Sequence, residues 1–140
     1  MRRPRSSRLV LDASAALHLL VREEGPSEIG EILRQTPWVL APSLFGAELA
    51  NGLWKLARAG ELGGDGLLDW YEAGLGLVSR LEPDQPLLGE ALSLARHLDH
   101  PVYDLLYGVL AMRQDCPVVT LDRRLAAVLS RIGVEAILPA

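Results

Sequence analysis

Four acidic residues, Asp12, Glu48, Asp104 and Asp122, are spread along the 140-residue chain in places where a carboxylate has either a structural or a chemical use. Carboxylates brought to one point repel each other, which raises some of their pKa values and destabilises the site unless a cation binds. The chain has one cysteine, Cys116, and no well-spaced histidine pair, so a site of this kind would take a hard, oxygen-preferring ion, Mg2+ or Mn2+, rather than zinc. Such an ion reverses the local charge, activates water and stabilises charge developing on a phosphodiester.

Taken one at a time, three of the acids have ordinary explanations. Asp12 and Asp122 each end an apolar segment, where an aspartate can cap the following helix. Asp104 falls in the first turn of an expected helix, where negative charge interacts favourably with the macrodipole. Glu48 is different, because it is the only ionisable group in the stretch 44–54 and lies where burial is expected. A carboxylate is seldom buried without a partner or a metal. Asn51, three residues on, shares its helix face and is a candidate to orient it.

The elements that would bring these residues together follow from apolar periodicity and its punctuation. Residues 8–12 predict a short buried strand ending in Asp12, with Ser14 opening a helix through 15–21. A short helix after Pro26 covers 29–33, and residues 38–41 form a second strand between Pro37 and Pro42. Helices are predicted over 43–59, stopping near Gly60, and over 67–78. Residues 79–82 read as an edge strand closed by Pro83. Helices through 87–95 and 103–113 follow, then a strand at 117–121 ending at Asp122, a helix at 123–131 and a last strand at 134–138. Alternating strands and helices predict an α/β fold with a parallel sheet covered on both faces, because parallel strands need crossover connections. In such a sheet ligands gather at the carboxyl ends of the strands, which is where Asp12 and Asp122 lie.

Composition supports one domain over 9–140: hydrophobic residues make up 49% of the chain, and only seven are aromatic, so the core is aliphatic. No apolar run reaches the length needed to span a bilayer, and the first residues lack a signal-peptide pattern, so a cytoplasmic protein is expected. A lone cysteine excludes an internal disulfide within this sequence. The net charge is −4 from 14 basic and 18 acidic residues; residues 1–8 hold four arginines and no acid, leaving −8 on the rest. The arm 1–8 is expected to be disordered. So acidic a body repels nucleic acid at long range, and handling RNA or DNA would require cations, the basic arm or a basic partner.

In four blocks the chain resembles the PIN-domain ribonucleases, and within them the VapC-like toxins of bacterial toxin-antitoxin pairs. The blocks are Val10-Leu11-Asp12-Ala13-Ser14-Ala15, Glu48-Leu49-Ala50-Asn51-Gly52-Leu53, Tyr103-Asp104-Leu105-Leu106-Tyr107 and Val119-Thr120-Leu121-Asp122-Arg123-Arg124-Leu125. The resemblance implies a three-layer fold with about five parallel strands flanked by helices. It also implies that Asp12, Glu48, Asp104 and Asp122 coordinate one or two divalent cations and position the hydrolytic water, with Ser14 and Thr120 hydrogen-bonding nearby. Asp12 and Asp104 are the expected direct ligands, whereas Glu48 and Asp122 act directly, through water, or by holding the geometry. An RNA substrate, a homodimer and a cognate antitoxin are implied in the same way, the antitoxin laying an apolar segment in a groove and presenting a basic side chain to the acids.

Other residues carry weaker signals. His97 and His100 lie near Asp104, where a general base would be useful, but a loop histidine before Pro101 is expected to be solvated. Arg123 and Arg124 are candidates to hold phosphate and equally ordinary helix-surface residues. Trp38, Trp54 and Trp70 could stack on bases, although their apolar contexts favour core or interface. Two readings stand beside a ribonuclease: an inactive PIN-like binding or regulatory module, and a DNA-directed nuclease using the same metal chemistry.

Overall fold

A computed structural model of the chain describes residues 7–22 and 27–139. Residues 1–6 of the predicted basic arm lie outside the described residues, as does Pro26. The chain runs β1 (Arg8–Leu11), α1 (Ala13–Val21), α2 (Glu28–Arg34), β2 (Trp38–Pro42), α3 (Leu44–Arg58), α4 (Leu67–Leu75), β3 (Arg80–Glu82), α5 (Gln85–Leu98), α6 (Val102–Gln114), β4 (Val118–Val119), α7 (Arg123–Arg131) and β5 (Ala136–Ile137). Arg8 thus opens the first strand, and its guanidinium donates to the Gln114 side chain at 3.3 Å.

All strand pairings are parallel, in the order β3-β2-β1-β4-β5. Successive side chains of a strand point to opposite faces, and the two halves of the core divide accordingly. Leu9, Leu11, Val39, Ala41 and Val119 pack with α1 to α4, whereas Val10, Leu40 and Val118 pack with α5 to α7. This gives the three-layer α/β arrangement expected from the sequence, with both sheet faces covered and its strands correspondingly apolar throughout. The 79–82 segment takes the predicted edge position as β3.

Several boundaries differ for local reasons. The helix predicted over 67–78 ends at Leu75, where Gly76 and the turn bond from the Leu77 N–H to the Gly74 carbonyl stop it. The strand predicted over 117–121 pairs only at Val118 and Val119. Beyond them the Thr120 hydroxyl accepts from the Asp122 N–H at 2.9 Å, a side-chain turn that bends the backbone toward α7. The last strand is likewise two residues, Ala136–Ile137. α3 starts without a cap from Ser43; Asp84, from the loop after β3, accepts from the Leu44 N–H at 3.1 Å instead. Gly52 lets α3 approach α1 closely, since a Cβ there would stand 2.7 Å from a Leu17 methyl.

Candidate metal centre

β1 is central, with β2 on one side and β4 on the other, so the chain reverses its direction of travel across the sheet between β1 and β4. A crevice at the carboxyl ends of the strands is expected at such a point. Asp12 follows β1 and Asp122 follows β4, one on each side of it, with the Asp12 N–H bonded to the Val119 carbonyl at 3.0 Å.

Asp12 does not use its side chain to cap α1. The residue is 7% exposed, and its Oδ2 accepts from Ser14 Oγ at 2.6 Å and from Thr120 Oγ1 at 2.7 Å. The two hydroxyls are linked onward, for Ser14 Oγ accepts from the Leu121 N–H at 3.2 Å and Thr120 Oγ1 from the Asp122 N–H. Burial drives the Asp12 pKa above its usual 3.8; the two hydroxyls oppose the shift, and the charge of Asp122 adds to it.

Glu48 comes from α3 in one helical layer and Asp104 from the first turn of α6 in the other. Glu48 is half-buried, and its Oε1 accepts from the Tyr107 hydroxyl at 2.6 Å. Its pKa is also raised, first by burial and then by the charges of Asp12, Asp104 and Asp122, so Glu48 feels each of the other three acids. Asp104 Oδ2 lies 2.8 Å from Nε2 of His100, one helical turn before it. Asp122 caps α7, its Oδ1 accepting from the N–H groups of Arg124 at 2.9 Å and Leu125 at 3.2 Å.

The sequence expectations meet this arrangement unevenly. Ser14 and Thr120 both bond to the Asp12 carboxylate, and Thr120 is fully buried. Asn51 does not orient Glu48: it is exposed, and the partner of Glu48 is Tyr107, across the end of the sheet. His100 is not a solvated loop histidine, since its side chain is 12% exposed and engages Asp104. Trp38 and Trp54 are not core residues, being 54% and 50% exposed. Arg123 and Arg124 are exposed at the start of α7 beside Asp122. Tyr107 has a sequence signal of its own: it is the one polar side chain in the stretch 105–111, and a buried phenol needs a partner.

The donors near the crevice are carboxylate and hydroxyl oxygens, which suits a hard divalent cation. Among the described residues, no three His, Cys, Asp or Glu side chains stand close enough to close on one ion. Magnesium ordinarily keeps several waters and takes only one or two carboxylates, so it does not require three such side chains. A hollow of about 850 Å3 opens at the other ends of the strands, among Arg8, Pro117, Val134 and Glu135, and is lined by none of the four acids.

Fold and site together define a class: parallel α/β proteins of three layers whose acids gather at the carboxyl edge of the sheet. A family model described as the PIN domain matches residues 9–129, and the chain belongs to that family. It is 34% identical over 121 residues to Ribonuclease VapC3 of Pyrobaculum aerophilum, an alignment covering 85% of this chain and 92% of that protein. In the same organism, the crystal structure of PAE2754 superposes with a TM-score of 0.72 at 25% identity, covering 92% of this chain and 83% of that one.

Proposed function

We propose that this PIN-domain protein is an endoribonuclease of the VapC type that hydrolyses RNA phosphodiester bonds with Mg2+ or Mn2+ and is neutralised by a cognate antitoxin. The observation that carries the reading is the buried Asp12 at the carboxyl end of β1, held by Ser14 and Thr120, with Glu48 bonded across the layers to Tyr107 of the helix that also carries Asp104. The similarity to Ribonuclease VapC3 supports RNA as the substrate.

Asp12 and Asp104 are the residues assigned to hold the cation, and Glu48 and Asp122 orient the hydrolytic water. When bound, the cation supplies positive charge for the scissile phosphate and for the transition state. Ser14 and Thr120 keep Asp12 in one orientation by donating to the same oxygen. Arg123, exposed beside Asp122, binds the RNA backbone. The formal charge of −4 makes the bound cation the means by which a polyanion approaches this edge.

The described residues include no helix long and apolar enough to cross a membrane, which agrees with a cytoplasmic toxin. Exposed Trp38, Trp54 and Leu92 support apolar surfaces that a second copy or the antitoxin covers. The test is cleavage of RNA by the purified protein with Mg2+ or Mn2+, against EDTA and Asp12→Asn. Cleavage is expected to vanish in both controls, and activity unchanged by either refutes the assignment. A single-stranded DNA of the same sequence in the same assay separates RNA from DNA preference.

A further inference from the structure

We propose that Tyr107 is a positioning residue of the acidic site, its hydroxyl holding Glu48 in the orientation needed for cation binding, a role that rests on the metal-dependent reading above. The residues lie 59 positions apart, on helices from opposite layers, and meet at 2.6 Å. Tyr107 is 1% exposed, and its ring packs in the core formed with α5 and α7. The neighbours from Leu105 to Ala111 on α6 are likewise buried and, apart from Tyr107, carry no polar side-chain group. A phenylalanine would fill this place as well, so packing accounts for the ring and not for the hydroxyl.

The hydroxyl does what the ring cannot. It donates to Oε1, leaving Oε2 of Glu48 to a cation or to the cation's water. The donor also offsets part of the burial and repulsion that disfavour an ionised Glu48. Tyr107 therefore ties the α6 layer, which carries Asp104, to the α3 layer, which carries Glu48, with a hydrogen bond at the site itself. Partners that orient a metal ligand in this way typically affect metal affinity or activity by roughly 10- to 100-fold.

The test is calorimetric titration of Mn2+ into the full chain as wild type, Asp12→Asn, Tyr107→Phe, Glu48→Gln and the Tyr107→Phe/Glu48→Gln double variant. Circular dichroism establishes that each is folded, and Tyr107→Leu, also without a hydroxyl, replaces phenylalanine if that variant unfolds. Loss of the hydroxyl is expected to weaken Mn2+ binding about tenfold or more. The double variant is expected to bind no more weakly than Glu48→Gln, since the two residues act as one unit. RNA cleavage by Tyr107→Phe should recover as Mn2+ is raised, which a general packing defect would not produce. An unaltered Mn2+ titration in Tyr107→Phe, with binding lost in Asp12→Asn, overturns the role of Tyr107 alone. A wild-type protein that binds no Mn2+ overturns this role and the metal-dependent reading together.

Discussion

Replacing Thr120 by valine tests whether hydroxyl donors hold Asp12 in place. Valine matches the shape of threonine, and the site is fully buried, so the change removes an oxygen and little else. That oxygen donates to Asp12 Oδ2 at 2.7 Å and accepts from the Asp122 N–H at 2.9 Å, with a longer contact to Ser14 Oγ at 3.4 Å. A hydrogen bond to a charged group contributes about 1.5–3 kcal/mol, and an N–H left without an acceptor costs about 1 kcal/mol where water can partly reach it. Together these give a destabilisation of about 3 kcal/mol, or a fall in Tm of roughly 10 °C for a chain of this size. Thr120→Ser keeps the hydroxyl and loses a methyl, so it should fall by about 1 kcal/mol. The assay is thermal unfolding without divalent cations at neutral pH, repeated in acid. The hydroxyl stabilises ionised Asp12, so its contribution is present above the folded pKa of Asp12 and is lost as the pH falls through it. The gap between valine and serine variants should therefore narrow in acid. A valine variant melting within about 0.5 kcal/mol of wild type at neutral pH, the range of an inconsequential substitution, refutes the reasoning.

Three further outcomes follow from the same geometry. The folded pKa values of Asp12 and Glu48 are raised above 3.8 and 4.5, so the stability they contribute is complete below those values and is lost as pH rises through the raised ones. Cation-free protein should therefore melt higher just above pH 4.5 than the same two groups allow at neutral pH, a difference that double substitution by asparagine and glutamine should remove from the melting curves. Saturating the site with Mn2+ at 100 times its Kd should add about 2.7 kcal/mol at neutral pH, read as a rise in Tm that EDTA reverses. Asp122→Asn keeps a good helix cap and removes the charge, whereas Asp122→Ala removes both, so only alanine should lose about 1 kcal/mol on unfolding, while RNA cleavage drops in both.

Most of the architecture was legible because strand and helix periods, prolines and glycines punctuate the chain clearly. Residues 38–41 and 79–82 are bounded by Pro37, Pro42 and Pro83, and both segments became strands at the expected positions. The residues that restrain the acids were harder to see, because their contacts depend on the meeting of distant elements. Asn51 was the nearest polar residue to Glu48 along the helix, but helix surface geometry does not show which side chain reaches over from another layer. Tyr107, 59 positions away, does so. His100 differs from its sequence expectation for the opposite reason: a loop position suggests solvent, yet the residue falls one turn before Asp104, the spacing at which side chains along a helix meet.

The restraint on each acid differs in kind. Hydroxyls hold Asp12, a buried phenol holds Glu48, an imidazole lies against Asp104, and the N-terminus of α7 holds Asp122. For Glu48, Asp104 and Asp122 these bonds fall on a single carboxylate oxygen, which leaves the other oxygen for water or a cation. Four repelling carboxylates without such restraints would relax by turning outward into solvent, and a cation would then have to gather them again at an entropic cost. Holding the acids at this edge costs the metal-free protein stability: burial first, and the neighbouring charges after it, raise the pKa values of Asp12 and Glu48. On the metal-dependent reading, a bound cation would offset the part of this cost that comes from repulsion, and that part would appear as affinity for the ion.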